Sequence, residues 1–132
     1  MAIEVLIHNK SDPSAHVRVK LTAIASGELF SFDNRAMKDV SNMEEPLTKT
    51  SPFVTPRSIE SACMSGAIFA RRKLKLKGLT VELLDYSVRG RVENAAPFAT
   101  ATMIGVCRIL GHSAEFSDGE LGDWNVEASD QS

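Results

Sequence analysis

The stretch of residues 55–92 predicts a helix followed directly by a strand, and it constrains the fold more than any other part of the 132-residue chain. Thr55 is suited to cap a helix, and Pro56 to occupy its first position, where a missing N–H group costs nothing. Apolar residues then recur at steps of three and four and therefore share one face. These residues are Ile59, Cys63, Ala67, Ala70 and Leu74. Residues 79–84, after Gly78, predict the strand.

Gly66 lies in the interior of the predicted helix. Glycine at such a position costs about 1 kcal/mol relative to alanine. We therefore expect another element to approach the helix closely at Gly66.

The patterns of apolar residues elsewhere predict three more strands and a second helix. Residues 3–8 and 16–24 alternate apolar and polar side chains, which is typical of strands with one wet face. Residues 28–32 predict a third strand. Residues 97–110 are apolar on nearly all sides, which predicts a helix that is buried on more than one side and ends at Gly111. Residues 124–127, near the C-terminus, allow a short last strand in addition to these elements.

We expect these elements to form one α+β domain. The order strand, strand, strand, helix, strand, helix predicts a two-layer sandwich, with two helices on one face of a mostly antiparallel sheet of about four strands. This order resembles that of domain IV of elongation factor G, a similarity of topology that carries no function. The domain is expected to cover residues 1–112, with a long loop at 33–54. Residues 113–132 are expected to form an acidic tail that packs in part through Trp124.

The composition predicts an ordinary intracellular globular protein. The chain is 43% hydrophobic and 24% charged, and no apolar run approaches the roughly 18 residues of a membrane span. The N-terminal segment is too short and too acidic for a signal peptide. The two cysteines lie on apolar helix faces and do not suggest a disulfide framework. We expect a reducing, cytoplasmic location.

Charge is distributed unevenly, although the net charge is only −2. Residues 57–91 contain eight basic and three acidic residues, a net charge of +5, whereas residues 113–132 contain six acids and no Lys or Arg. We interpret part of the basic side chains as one basic ridge that binds the phosphates of nucleic acid or of an anionic membrane surface. The basic ridge consists of Arg71, Arg72, Lys73, Lys75, Lys77, Arg89 and Arg91. The alternative interpretation is a solvated rim that pairs with the acidic tail.

The basic ridge depends on an extended backbone. Lys73, Lys75 and Lys77 alternate with leucine, so an extended chain would place all three on one face. Arg89 and Arg91 alternate in the same way on the following segment. The opposed charges of the middle and the end of the chain, together with the second helix, also predict a homo-oligomer.

Cys63 is the one candidate catalytic residue, and this role depends on a resemblance. Residues 61–73 (Ser-Ala-Cys-Met-Ser-Gly-Ala-Ile-Phe-Ala-Arg-Arg-Lys) and 74–82 (Leu-Lys-Leu-Lys-Gly-Leu-Thr-Val-Glu) are similar to the central helix and next strand of the OsmC/Ohr family of thiol peroxidases. In that family the helix cysteine attacks a hydroperoxide, so the resemblance implies a peroxidatic Cys63. The resemblance covers about a quarter of the chain, and Ala96 precedes Pro97 where the family has a second cysteine. From the residues alone, Cys63 is an inert small core residue.

The other reactive residue types show no pattern that points to a cofactor or metal. His8 and His16 flank a predicted turn that brings them close, and Asp12 lies within it. We interpret the two histidines as exposed turn-flanking residues rather than as ligands. No phosphate-binding loop or paired-carboxylate motif is present.

The sequence therefore favours a non-enzymatic binding or assembly domain that self-associates and contacts an anionic partner. The alternative is a small enzyme, in its most specific form a thiol peroxidase that uses Cys63. The two hypotheses differ in the environment they require of Cys63: exposed beside a basic residue for the peroxidase, sealed in the core for the binding domain.

Overall fold

The computed structural model describes residues 2–36, 53–111 and 116–131. The elements in chain order are β1 (Ala2–Asn9), β2 (His16–Ile24), β3 (Phe30–Asn34), α1 (Pro56–Lys73), β4 (Leu79–Arg89), α2 (Ala96–Ile109), α3 (Asp118–Leu121) and β5 (Trp124–Gln131). Residues 37–52, which hold most of the predicted loop at 33–54, lie outside the described residues.

The strands form a single sheet in the order β3-β4-β2-β1-β5. β3 runs parallel to β4, and the other neighbouring pairs are antiparallel. α1 and α2 pack against each other and against this sheet. The predicted α+β sandwich is thus confirmed, although the sheet contains five strands rather than the expected four. Within the described ranges, no helix combines the length and the apolar character needed to cross a membrane.

Alternation of side chains determines which face of the sheet is buried. Val17, Val19 and Leu21 of β2 are fully buried, and the residues between them are partly exposed, as the two-residue period of a strand requires. β1 and most of β4 show the same pattern. The buried side chains of these three strands and of the two long helices form one hydrophobic core.

α1 begins as the sequence predicts. Thr55 Oγ1 accepts a hydrogen bond from the Ser58 amide, and Ser58 Oγ accepts one from the Thr55 amide, so each residue satisfies a backbone donor of the other. Gly66 is buried, and a Cβ at this position would lie 2.2 Å from the carbonyl oxygen of Ala99 in α2. The expected close approach at Gly66 is therefore confirmed, and its partner is the backbone of α2.

α2 is buried on nearly all sides, in agreement with its apolar composition. Residues 101–107 are all buried. One side of α2 contacts β1 and β2, and Phe98 lies edge-to-face on Tyr86 of β4 with ring centroids 6.1 Å apart. Thr100 of α2 and Glu120 of α3 both line a cavity.

β5 forms the edge of the sheet beside β1. The predicted strand at 124–127 continues to Gln131 and pairs along the whole of β1, from Ala2 opposite Gln131 to Asn9 opposite Trp124. An edge strand leaves a row of backbone N–H and C=O groups unpaired. Without β5, β1 would be such an edge strand, and β5 supplies hydrogen-bond partners for its backbone groups. Trp124 is half-buried and packs against the core.

Candidate anion-binding site

The turn after α1 brings several of the predicted basic side chains together. The amides of Lys75 and Leu76 donate hydrogen bonds to the carbonyl oxygens of Arg72 and Arg71, at 3.1 and 3.0 Å. Lys75 has a φ of 55°. These bonds satisfy carbonyl groups that the end of a helix leaves free. The extended backbone predicted for the alternating lysines and leucines of residues 73–77 is therefore wrong.

Arg71 fixes the turn against the helix. Its Nε donates a hydrogen bond to the Lys77 carbonyl oxygen at 2.9 Å, and its Nη2 donates to the same oxygen. Because a carbonyl is neutral, this contact leaves the positive charge of the guanidinium uncompensated. The negative end of the helix dipole favours cations at this position, which offsets part of the repulsion among them.

Three further cations of this turn are exposed to solvent. Arg72, Lys75 and Lys77 are all exposed, and none of them takes part in an ion pair with another described residue. We refer to Arg71, Arg72, Lys75 and Lys77 as the basic turn. The basic turn lies at the end of the sandwich where β4 begins.

Lys73 does not belong to the basic turn because it is already paired. Its Nζ lies 2.8 Å from Glu120 Oε2 and 5.3 Å from the centroid of the Phe116 ring. The hydrogen bond from Lys73, together with one from the Ser117 amide, lowers the pKa of Glu120. The acidic segment after α2 thus neutralises one member of the predicted basic ridge.

The ion pair between Lys73 and Glu120 predicts a pH-dependent loss of stability. A carboxyl with a lower pKa in the folded chain stabilises the fold fully above its unfolded pKa of about 4.3, and the contribution disappears as the pH falls through the folded pKa. At pH 7 we expect Glu120→Gln to lower the free energy of unfolding by less than about 1 kcal/mol. Urea unfolding of variant and wild type at decreasing pH measures the difference, with Glu93→Gln, an exposed acid outside the ion pair, as the control. A difference that persists undiminished in acid would contradict this account.

Arg89 and Arg91 lie far from the basic turn. β4 contains 11 residues, and at about 3.3 Å per residue its ends are separated by about 33 Å. Arg89 lies at the far end, opposite His16 of β2, and Arg91 lines a cavity of ≈ 400 Å³ beside the start of α2. The residues predicted as one basic ridge therefore do not lie together: four form the basic turn, Lys73 pairs with Glu120, and Arg89 and Arg91 lie at or beyond the far end of β4.

Cys63, the candidate catalytic residue, is sealed in the core. Its side chain is 0% exposed, and burial raises the pKa of the thiol to about 12; the nearby Thr102 hydroxyl opposes this shift, and the charge of Glu60 adds to it. A nucleophilic cysteine reacts as the thiolate, and the raised pKa keeps Cys63 in the thiol form at neutral pH. This environment counts against the thiol peroxidase that the OsmC/Ohr resemblance implies.

Both cysteines should react slowly with thiol reagents in the folded protein. Cys107 is buried as well, and burial raises its pKa. We expect Ellman's reagent at pH 8 to modify the folded chain at least about 100-fold more slowly than the chain unfolded in urea. Mass spectrometry of the labelled peptides separates the two sites. Rapid labelling of Cys63 in the folded state would restore the peroxidase hypothesis.

The predicted proximity of His8 and His16 is confirmed. They are opposite each other in the β1–β2 pair, with ring centroids 5.7 Å apart. The carboxylate of Asp12 instead accepts hydrogen bonds from Ser14, and His8 Nε2 lies 3.7 Å from Glu127 Oε2. Nowhere in residues 2–36, 53–111 and 116–131 do three or more His, Cys, Asp or Glu side chains form a group that could hold a metal ion.

Two cavities flank α3. The first, of ≈ 360 Å³, lies between α1, α2 and α3 and includes Phe69, Met103 and Glu120 in its lining. The second is the cavity beside Arg91, and it shares Glu120 with the first. Neither lining includes a described cysteine or histidine.

A charged network on the open face of the sheet was not predicted from the sequence. Arg18 Nη2 lies 2.6 Å from Asp85 Oδ2, its Nη1 lies 3.3 Å from Glu4 Oε2, and its Nε donates to Ser87 Oγ at 3.0 Å. Burial by itself lowers the pKa of Arg18, but the hydrogen bond and charge of Asp85 outweigh it and raise the pKa. A bulge in β4 at Leu84 places Asp85 beside Arg18. The alternation of side chains along β1 and β2 could have predicted that Glu4 and Arg18 lie on this face. The bulge in β4 could not be predicted, because no local sequence pattern marks it.

Comparison with known proteins assigns the chain to no family. No protein-family model matches it, and no curated protein matches it in sequence. Its function is therefore inferred from the geometry of the basic turn and of the residues around it.

Proposed function

We propose that this protein is a non-enzymatic binding domain that contacts an anionic partner through the basic turn. The observation that carries the proposal is the exposure of Arg72, Lys75 and Lys77, none of which pairs with an acid among the described residues. Arg71 adds a fourth charge and holds the turn in place through the Lys77 carbonyl. Lysine and arginine side chains clustered in this way bind arrays of phosphate groups.

The shape of the site favours an extended partner over a small molecule. The basic turn connects the end of α1 to the start of β4, and none of its residues lines either of the two cavities. Small-molecule sites are usually concave and enclose most of the ligand. An open turn with several flexible cations suits the surface of a polyanion, where several phosphates lie side by side.

The other hypotheses receive less support from the described residues. A thiol peroxidase would need an accessible Cys63 thiolate, and that thiol is buried with a pKa of about 12. The predicted homo-oligomer and the predicted cytoplasmic location both stay predictions.

Removing the charge of the basic turn should weaken binding to polyanions strongly. Each Lys or Arg near an anionic surface contributes about 1 kcal/mol, or about fivefold in affinity. Replacing Arg72, Lys75 and Lys77 together by glutamine should therefore reduce the affinity for fluorescein-labelled heparin by about 100-fold at low salt. Fluorescence anisotropy measures this affinity.

The matched control removes the same charge from the opposite end of the sandwich. Replacing Arg57, Arg89 and Arg91 by glutamine should change the heparin affinity much less, because Arg89 lies about 33 Å from the start of β4. Equal losses in the two triple variants would show that only net charge matters. A wild-type protein that binds no polyanion at low salt, whether heparin, an oligonucleotide or anionic vesicles, would refute the proposed function itself.

A further inference from the structure

Two large apolar side chains are exposed beside the basic turn. Ile24, the last residue of β2, is 60% exposed, and Leu29, just before β3, is 82% exposed. The connection between them consists of the exposed residues 25–28. Exposed apolar side chains that stand singly are ordinary, whereas a group at one place marks a surface of interaction.

The backbone contacts place the connection between Ile24 and Leu29 beside the residues that follow the basic turn. The Leu79 amide donates a hydrogen bond to the Leu29 carbonyl oxygen at 3.1 Å, and Ile24 is opposite Thr80 in the β2–β4 pair. A Cβ on Gly78, the residue after Lys77, would lie 2.2 Å from the Ser26 carbonyl oxygen and 2.4 Å from that of Gly27. The connection between β2 and β3 is therefore in contact with the end of the basic turn.

We infer that the anionic partner of the basic turn is a lipid surface, and that Ile24 and Leu29 enter its interface. Ile24, at the end of β2, and Leu29, just before β3, lie on either side of β4, and β2 and β3 are two positions apart in the sheet, a separation of about 10 Å. Apolar side chains beside exposed cations are the combination that binds proteins to the interface of anionic membranes. This inference rests on the proposed function, because it names the source of the phosphate groups.

A nucleic acid suits this end of the molecule less well. Proteins that bind single strands stack bases on aromatic side chains, and residues 24–29 and 71–78 contain no Phe, Tyr or Trp. Phe30, next to Leu29, packs against the core. Leucine and isoleucine contribute nothing to base stacking, whereas they gain free energy on leaving water for the acyl region of a bilayer. The exposed Glu28 carboxylate opposes binding to either partner.

Vesicle sedimentation tests the inference. Wild-type protein is mixed with vesicles of phosphatidylcholine alone or of phosphatidylcholine with phosphatidylglycerol, and heparin affinity is measured in parallel. We expect binding to the anionic vesicles only. Leu29→Ser should weaken this binding roughly tenfold and leave heparin affinity unchanged. Phe69→Ser, which removes another exposed apolar side chain (50% exposed) from α1, should change neither.

The outcomes separate the two proposals. Binding of the wild type to heparin or to a single-stranded oligonucleotide, without binding to anionic vesicles, would overturn the lipid inference and leave the proposed function standing. Vesicle binding that Leu29→Ser does not weaken would also overturn the inference. Failure of the wild type to bind heparin, oligonucleotide and anionic vesicles would overturn both.

Discussion

Replacing Gly66 by alanine should lower the free energy of unfolding by about 2 kcal/mol, although alanine is the better helix former by about 1 kcal/mol. The added Cβ would lie 2.2 Å from the carbonyl oxygen of Ala99 and 2.9 Å from its carbonyl carbon. These are backbone atoms, which cannot rotate aside as a side chain does, so α1 and α2 would have to separate. Overpacking of a core typically costs about 1–3 kcal/mol and occasionally more. Urea unfolding followed by circular dichroism measures the loss.

The control for this prediction is the same chemical change at an exposed helical position. A Cβ on Gly119 in α3 would meet only Ser117 Oγ at 3.7 Å, an ordinary contact. Gly119→Ala should therefore alter stability by no more than about 0.5 kcal/mol. If Gly66→Ala unfolds at the same urea concentration as the wild type, the contact between the helix backbones at this position is not real.

Ending the chain at Asp123 should destabilise the fold by about 3–5 kcal/mol. The truncation removes β5, which pairs along all of β1, and it removes Trp124, which packs against the core. Loss of a fully buried aromatic side chain costs about 3–5 kcal/mol; Trp124 is half-buried, and the lost pairing with β1 adds to its contribution, while the exposed edge of β1 also invites association. Because the free energy of unfolding of a small domain is about 5–15 kcal/mol, this loss would be a large fraction of the total. Urea unfolding of the truncated and full chains measures the difference.

A substitution that leaves β5 in place provides the comparison. Glu127 lies on β5 with its side chain 73% exposed, so Glu127→Gln should leave the unfolding midpoint close to that of the full chain. Equal stability of the truncated and full chains would mean that residues after Asp123 contribute nothing to the sheet.

Local periodicity explains why most of the fold could be predicted from the sequence. The buried face of α1 and the alternation of β2 are repeated patterns of apolar residues, and each is decided by neighbours in the chain. The place of β5 could not be predicted in this way. Its partner is β1, at the other end of the chain, and no local pattern reports that pairing. Trp124 and Val126 alternate with polar residues as in a strand, and the unpaired edge of β1 extends this strand to Gln131.

The candidate site was predicted in part, for a physical reason of the same kind. The concentration of basic residues at 71–77 is evident in the sequence, and the structure places Arg72, Lys75 and Lys77 in the open. The alternation of lysine and leucine is also a strand pattern, but the free carbonyl groups at the end of α1 bind the next amides and turn the chain. The separation of Arg89 from the turn follows from the length of β4. The pairing of Lys73 with Glu120 joins residues 47 positions apart, a distance that no local pattern reports.

Chemical-shift mapping is the most direct test of anion binding through the basic turn. Backbone amide resonances of the isotopically labelled protein are followed during titration with a short heparin oligosaccharide at low salt. We predict that the largest shifts occur at residues 71–78, that Arg89 and Arg91 change little, and that added salt reverses the shifts. Shifts centred on Arg89 and Arg91, or no shifts at any residue, would contradict the proposed role of the basic turn.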